Sequence, residues 1–290
     1  MRFTKMQGCG NDYIYVNEME EQVPLEGKAL LVRRMSDRHY GIGGDGVIFI
    51  RSCPDADFEM EMYNADGSRG QMCGNGLRCV AKYVYEKGLT KKNRFVIKSC
   101  GRKLSAELRI QHGEAVGVQV NMGNPVFSPD AIPVEGCEGE EFVIDEPIEV
   151  QGMQYKMTCI SMGNPHAVIF VEDVERFPVV SIGAALESHP RFPKRTNVEF
   201  VQVLDRKNIR MRVWERGSGE TYACGTGACA AVVSCVLKGL TDEAVTVKLL
   251  GGGLKIVWDR KKNLLYMEGP AETVFEGEYR AYKGIRKNPE

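Results

Sequence analysis

The sequence lacks the features that mark membrane-bound, exported or nucleic-acid-binding proteins. No apolar run approaches the roughly 20 residues needed to span a bilayer, and the opening stretch, MRFTKMQGCGNDYIYVN, contains no signal-peptide core. Charge of one sign is not in excess either, because 38 basic and 39 acidic residues leave a net charge of -1. We therefore expect a soluble cytoplasmic protein with no nucleic-acid or membrane partner, whose ligand is a small molecule.

Two common cysteine patterns are missing as well. The 290-residue chain has 10 cysteines but no C-x-x-C pair, and its close pairs, Cys73/Cys79 and Cys224/Cys229, have five and four residues between them. These spacings do not suit a structural zinc or iron–sulfur site. Disulfide frameworks belong to short secreted chains. We expect mostly free thiols and no bound metal.

One long repeat is present. CGNGLRCVAKYVYEKGLT begins at residue 73 and CGTGACAAVVSCVLKGLT at residue 224, a shift of 151 residues. The same shift aligns MEMYN with MRVWE and GVIFI with NVEFV, and a shift of 153 aligns the two Gly-Asn pairs that precede YIYV and AVIFV. Similarity in the same order along both halves predicts two copies of one domain.

Each copy has the same order of local patterns. Alternating apolar and β-branched stretches predict strands, and a glycine turn then leads into an apolar helix that ends at Lys-Gly, which is typical of a helix C-terminus. The fold class is therefore α/β (α+β), with two pseudo-symmetric domains. Glycine and prolines interrupt the pattern near residues 123–133, so we expect residues 1–122 with 271–290 to form one domain and residues 123–270 the other.

A cysteine at the start of each helix suggests a specific chemistry. The unpaired N–H groups and positive dipole of a helix N-terminus favour a thiolate and also bind a carboxylate. If one cysteine lies on each face of an α-carbon, one sulfur can remove the α-proton and the other can give a proton to the opposite face. This chemistry does not need pyridoxal phosphate. We predict that Cys73 and Cys224 are the acid/base pair. The ordinary alternative is that both are buried core residues, which we favour for Cys79, Cys229 and Cys235.

Six stretches follow one another along the chain: KMQGCGND, NADGSRGQMCGNGLRC, SMGNPH, RTNVEF, ERGSGETYACGTGACA and GPAETVFEGEY. They resemble, in the same order and over almost the whole chain, the successive motifs of the diaminopimelate epimerase family. The run ERGSGETYACGTG is a specific signature of that family.

The resemblance implies a fold, an activity and a set of site residues. It implies two domains, each a strand-rich barrel or roll around a central helix, commonly in a homodimer, and cofactor-free interconversion of LL- and meso-2,6-diaminopimelate for lysine and peptidoglycan precursors. The resemblance also implies that His166 and Glu215 modulate the pKa of the two cysteine thiols. The implied substrate-binding residues are Asn11, Asn64, Gly74, Asn75, Asn164, Asn197, Glu215, Arg216, Gly225 and Thr226.

The chain departs from the usual family pattern at two positions. Gln7 stands where a histidine is frequent, and Gly46 where some members have a glutamine. The residues implied by the resemblance also have ordinary explanations. The asparagines could simply form turns. The adjacent Glu215 and Arg216 could be a solvated ion pair, and His166, which follows a proline, could be a loop residue.

Other functions compete with this interpretation. GIGGDG at residues 41–46 formally matches a dinucleotide-binding motif, but that motif requires a strand before it and a helix after it. Proline and hydroxyproline racemases share C-G-T-G but pair it with C-G-H instead of the C-G-N-G of this chain. Racemases of other amino acids, or a redox protein in which Cys73 and Cys224 form a reversible disulfide, stay open on the sequence alone.

Overall fold

The structure, a computed structural model, describes residues 1–70 and 73–280. Gln71 and Met72, which belong to one of the family motifs, and residues 281–290 of the expected first domain lie outside the described residues. The chain divides into two compact units. The first comprises Met1–Val120 and the segment that begins at Pro270, and the second comprises Asn121–Gly269.

Eight strands form the sheet of the first unit. From one edge to the other they run in the order β17, β1, β2, β3, β4, β5, β6, β7. Their bounds are Arg2–Gly8 (β1), Asn11–Asn17 (β2), Gly46–Cys53 (β3), Ala56–Asn64 (β4), Arg94–Ser99 (β5), Arg102–Gln111 (β6), Glu114–Gly123 (β7) and Glu272–Glu278 (β17).

The second unit also has eight strands in line, in the order β8, β9, β10, β11, β12, β14, β15, β16, with the short β13 paired to β12. Their bounds are Val143–Val150 (β8), Met153–Ser161 (β9), Pro165–Phe170 (β10), Asn197–Asp205 (β11), Asn208–Glu215 (β12), Gly219–Thr221 (β13), Ala244–Leu249 (β14), Gly252–Asp259 (β15) and Leu264–Gly269 (β16).

The two sheets repeat one pairing pattern. Along each line of eight strands the successive pairs are antiparallel, antiparallel, parallel, antiparallel, parallel, antiparallel and antiparallel. The C-terminal strand β17 takes in the first unit the place that β8 takes in the second. The mixed α+β class and the internal repeat predicted from the sequence are confirmed.

Each unit is built around one long helix, α2 (Gly74–Glu86) in the first and α4 (Gly225–Leu237) in the second. Helix α2 packs on β1, β2 and β6, and α4 is contacted by strands β9 to β12 and β14 to β16 of its own sheet. These surroundings explain why α4 is apolar nearly all round, whereas α2 keeps the ion pair Lys82–Glu86 outside its apolar stripe.

Both helices end in the same way. Gly88 and Gly239 each have a φ of 69°, and the N–H of the following leucine bonds back to a carbonyl of the last turn, Val84 O or Cys235 O, at 2.9 Å. Only glycine takes this left-handed position without a steric cost. The Lys-Gly signal at the end of each repeat is therefore confirmed as a helix C-cap.

Two shorter helices were not predicted from the sequence. They are α1 (Lys28–Ser36) and α3 (Val179–Glu187), which pack on strands β3 and β4 and on strands β11 and β12, respectively. Neither has a side chain that caps its N-terminus, since Gly27 precedes one and Pro178 the other. Packing on a sheet stabilises such short helices, and local sequence signals them weakly.

The segment 41–46 follows helix α1 and leads directly into strand β3. This order is the reverse of the strand–turn–helix order of a dinucleotide-binding loop, which confirms that GIGGDG is not such a motif. No helix among residues 1–70 and 73–280 is long and apolar enough to cross a membrane.

Replacing Gly41 is expected to destabilise the first unit. A Cβ at Gly41 would lie 2.1 Å from Arg34 O and 2.7 Å from Met35 O, so the backbone itself must move. We expect Gly41→Ala to lower the free energy of unfolding by about 2 kcal/mol, measured by thermal and urea unfolding. The matched control Gly253→Ala, where a Cβ meets open space, should change stability by less than about 0.5 kcal/mol. Equal stability of the two variants would contradict the expectation.

Candidate active site

Two cysteines begin the two matched helices in the same conformation. Cys73 precedes α2 with φ −119° and ψ 111°, and Cys224 precedes α4 with φ −117° and ψ 114°. Each sulfur accepts a hydrogen bond from the N–H three residues along, at 3.3 Å from Gly76 N and 3.4 Å from Gly227 N. Both sulfurs therefore serve as helix N-caps and lie beside the first-turn N–H groups that lack helical partners.

The first cysteine contacts an asparagine that is held in place by an aspartate. The Cys73 thiol donates to Asn11 Oδ1 at 3.2 Å, and Asn11 Nδ2 donates to Asp45 Oδ2 at 2.7 Å. Asp45 also accepts from the Asp12 N–H at 3.1 Å and from Arg38 at 2.9 Å. Asp45 was missed in the sequence, where it appears only as part of GIGGDG.

The second cysteine contacts a longer chain of polar side chains. Cys224 Sγ lies 3.4 Å from Thr226 Oγ1, which accepts from Asn164 Nδ2 at 3.3 Å. Asn164 Oδ1 in turn lies 3.1 Å from His166 Nε2. Asn164 is the repeat equivalent of Asn11, so the repeat supplies an asparagine to each cysteine, directly in one unit and through a threonine in the other.

Glu215, at the end of β12, lies near the second cysteine. The Thr221 hydroxyl donates a hydrogen bond to its carboxyl group. Burial raises the pKa of Glu215, and the Thr221 hydroxyl and the Cys224 thiol oppose that rise only in part. The protonated form of this carboxyl group is therefore favoured more than in an exposed glutamate.

Cys224 differs from the prediction of a thiolate at a helix start. Burial, followed by the nearby carboxyl groups of Glu215 and Glu199, raises the pKa of its thiol well above the usual value, and the bond from Gly227 N–H lowers it less. The expectation of a thiolate is wrong for Cys224, because one backbone donor and the helix dipole do not outweigh desolvation beside two acids.

A buried carboxyl group on β11 was also missed. Glu199 Oε1 lies 2.7 Å from His166 Nδ1, and both side chains are 0% exposed. The only sequence signal for it was a single charged residue among the apolar residues of VEFV.

Asn197 joins two segments of the second unit. Its Nδ2 donates to Pro165 O at 2.8 Å, and its Oδ1 accepts from the Arg216 N–H at 2.9 Å. Glu187, also missed in the sequence, holds the same turn by accepting from Trp214 Nε1 and from the Gly217 N–H, both at 2.7 Å. The Glu215–Arg216 turn is therefore fixed from two sides.

The remaining predicted residues lie as follows. Asn64 Nδ2 donates to Ser68 Oγ at 3.0 Å, and Arg216 donates to Lys194 O at 3.0 Å, so the structure joins neither side chain to a cysteine. Four of the predicted substrate-binding residues, Gly74, Asn75, Gly225 and Thr226, are the first two residues of the two central helices. In the described part of the chain, no three His, Cys, Asp or Glu side chains are grouped as metal ligands.

The raised pKa of Glu215 predicts a pH-dependent stability. A folded-state pKa above the unfolded value gives stability that is present below the ordinary carboxyl pKa and lost as pH rises through the folded pKa. Glu215→Gln does not ionise, so its melting temperature relative to the unmodified chain should increase from pH 4 to pH 8, as measured by calorimetry. The exposed Glu243→Gln should show no such trend, and an equal trend in both variants would contradict burial of Glu215 as the cause.

The amino-acid sequence of this chain matches those of known proteins. The profile of the family described as diaminopimelate epimerase matches residues 3–128 and 158–274. A diaminopimelate epimerase of Acetivibrio thermocellus is 52% identical over 278 residues, covering 96% of this chain and 98% of its own. One from Methanococcus maripaludis is 49% identical, with 96% and 99% of the two chains covered.

Solved structures match the fold at much lower identity. A phenazine biosynthesis protein of the PhzF family from Bacillus anthracis has a TM-score of 0.70 at 14% identity, covering 97% of this chain and 99% of its own. A probable proline racemase from Agrobacterium radiobacter has a TM-score of 0.71 at 16% identity, covering 96% and 92%. At these identities the likeness concerns the fold alone. Since the family profile spans both repeats and relatives share about half of their residues over almost the full length, the chain belongs to the diaminopimelate epimerase family.

Proposed function

We propose that this protein interconverts LL-2,6-diaminopimelate and meso-2,6-diaminopimelate without a cofactor, by two-base chemistry at Cys73 and Cys224. The observation that carries the proposal is the repeated N-cap, in which each sulfur accepts a glycine N–H at the start of a helix with nearly identical backbone angles. A sequence repeat that preserves a cysteine in this position supports a shared chemical role for the two sulfurs. The name of the close relatives supplies the substrate.

The proposed reaction moves one proton at each sulfur. A thiolate removes the α-proton, so the C–H bond breaks and an S–H bond forms, and the electron pair stays on the α-carbon and its carboxylate. The other thiol then gives its proton to the opposite face, which restores a C–H bond with inverted configuration. The reverse reaction exchanges the two roles. In the free protein Cys224 suits the role of the acid, because burial beside two carboxyl groups keeps its proton bound.

The groups around the cysteines have distinct proposed roles. The helix starts at Gly74, Asn75, Gly225 and Thr226 bind the reacting carboxylate, where N–H donors stabilise the charge of the carbanion. His166 and Glu215 tune the cysteines. The ammonium groups and the distal carboxylate of the substrate are bound by Asn11, Asn64, Asn164, Asn197, Glu215 and Arg216, since ammonium needs oxygen acceptors and a carboxylate suits a guanidinium fork.

Hydrogen exchange tests this proposal. Reduced, chelator-treated protein in D2O should introduce deuterium at the α-carbon of LL-diaminopimelate and form the meso isomer. Cys73→Ala and Cys224→Ala should each lose at least about 10³-fold in epimerisation, because each removes one of the two proton-transfer groups. Cys100→Ala is the matched control, since this cysteine is exposed, and its activity should stay within about twofold.

Three results would contradict the proposal. Absence of exchange with diaminopimelate would reject the substrate, and a requirement for added metal would reject the mechanism. Near-normal epimerisation by either active-site variant would reject the two-cysteine assignment.

The proposal extends to the state of the protein in the cell. We propose that the units correspond to the expected domains, 1–122 with 271–290 and 123–270, and that the protein works as a cytoplasmic homodimer. Strand β17 supports a second copy as its partner, because Val274 and Phe275 are 56% and 46% exposed on a strand that pairs with β1 along one edge. Exposed apolar side chains on such a strand are typical of a surface that is covered by another chain.

A charge on this strand is expected to dissociate the dimer. Val274→Asp should shift the mass measured by light scattering from two chains to one at micromolar concentration, because the interface would bury an unpaired carboxylate. Val180→Asp is the control, since Val180 is similarly exposed, at 58%, on α3. A monomeric unmodified protein, or an unchanged dimer in Val274→Asp, would reject this interface.

A further inference from the structure

The two copies of the repeat differ in the side chains that pack near the cysteine. Glu199 and Ile48 are the third residues of the equivalent strands β11 and β3. His166 and Tyr13 are equivalent too, because His166 is paired with Asn197 at the start of β11 as Tyr13 is paired with Gly46 at the start of β3. The second copy therefore has a carboxyl group and an imidazole where the first copy has a butyl group and a phenol.

Glu199 and Ile48 occupy the same place beneath the two helix starts. A Cβ added at Gly227 would lie 2.4 Å from Glu199 Oε1, and one added at Gly76 would lie 2.6 Å from Ile48 Cδ1. These are the two glycines whose N–H groups bond to the cysteine sulfurs. The side chain at this position thus packs directly under the turn that holds each sulfur.

The carboxyl group of Glu199 is enclosed together with His166. Its Oε1 is 2.7 Å from His166 Nδ1, and both side chains are fully buried. Its Oε2 is buried and has no hydrogen-bond partner among residues 1–70 and 73–280. A carboxylate in such a place is strongly unfavourable unless its charge is compensated, so a compensating proton on the pair is expected.

The hydrogen bonds of His166 indicate where that proton is. A neutral imidazole has one N–H and one bare nitrogen, yet oxygen atoms face both nitrogens, Glu199 Oε1 at Nδ1 and Asn164 Oδ1 at Nε2. Asn164 is oriented with its Nδ2 towards Thr226 Oγ1, to which it donates, and with its Oδ1 towards Nε2. In this orientation Nε2 carries hydrogen, and the Nδ1 contact holds a second proton on the ring, because an imidazole is more basic than a carboxylate.

We propose that Glu199 is a positioning residue that makes the two cysteine sites unequal: with His166, which carries hydrogen on both ring nitrogens, it forms a buried, net-neutral pair and fixes the chain of contacts through Asn164 and Thr226 to Cys224. The first copy has Ile48 in this place, and Cys73 contacts its asparagine directly. The catalytic consequence rests on the proposed function above, whereas the protonation state of the pair does not.

Several ionisable groups face this pair from the surrounding elements. Glu215 on β12 lies close enough for both Glu199 and His166 to affect its pKa. Cys159 on β9 lies close enough for Glu199 to affect the pKa of its thiol. The third ionisable group is Cys224 at the start of α4. Glu199 affects the pKa of its thiol more strongly than His166 does. Replacing Glu199 by a neutral residue should therefore make ionisation of Cys224 easier.

The first test needs no substrate. Long-range ¹⁵N–¹H spectra of the full chain at pH 8, with the His166 signals identified by their loss in His166→Gln, should show hydrogen on Nε2 of His166. A bare Nε2 would overturn the proposal, because the pair would then hold no extra proton. This measurement uses the unmodified protein and so does not depend on whether a Glu199 variant folds.

The second test compares Cys224 with Cys73 as an internal reference. Iodoacetamide labelling at pH 8, followed by peptide mass spectrometry, should give an alkylation rate at Cys224 about three- to tenfold higher in Glu199→Gln than in the unmodified protein, since tenfold corresponds to one unit of pKa. The rate at Cys73 should stay within about twofold. The matched control Ile48→Val should change neither rate. An unchanged Cys224 in folded Glu199→Gln, or an equal change at Cys73, would overturn the proposal.

Epimerisation gives a third readout. In Glu199→Gln the basic limb of the pH profile of kcat/KM should move to lower pH, because Cys224 must keep its proton to act as an acid. A basic limb at unchanged pH would overturn the catalytic consequence. A purely structural role would lower activity without moving the profile. Failure of the unmodified protein to epimerise diaminopimelate would reject the proposed function instead, and the spectroscopic and labelling results would still decide the state of the pair.

Discussion

The N–H groups at the start of a buried helix need partners, and most of the site depends on how this chain supplies them. The first-turn residues of both central helices are buried, so their N–H groups need hydrogen-bond partners within the protein. A cysteine sulfur accepts one of these N–H groups in both units. This places a proton-transfer group next to the donors that can bind a carboxylate, and the strands hold both in position.

The shared architecture leaves room for chemical differences between the halves. The strand order and the helix caps repeat closely, but the side chains that pack against the two first turns do not. Cys73 contacts Asn11 within a network of exposed and half-buried polar groups, whereas the carboxyl groups of Glu215 and Glu199 lie near Cys224. A duplicated fold can therefore hold two sulfurs that are alike in geometry and different in surroundings.

Much of the fold was predictable because its signals are local. The two central helices have apolar stretches, capping residues and terminal glycines, and the strands that flank them alternate in the expected way. Helices α1 and α3 escaped prediction because each has only nine residues and no side-chain cap. For the candidate site, motifs predicted the cysteines, the asparagines and Glu215. They did not indicate Asp45, Glu187 or Glu199, whose hydrogen-bond partners lie 27 to 34 positions away in the sequence.

The sequence by itself determined the repeat, the class of fold, the position of a cysteine at each helix start and the family, because these depend on residue order and on short-range spacing. The tertiary structure decided the environment of each sulfur. Burial and the approach of Glu199 and Glu215 keep the proton on Cys224, although a helix start taken alone favours a thiolate. The ionisation of a thiol depends on desolvation and on charges that packing brings close, and neither can be read from neighbours in the chain.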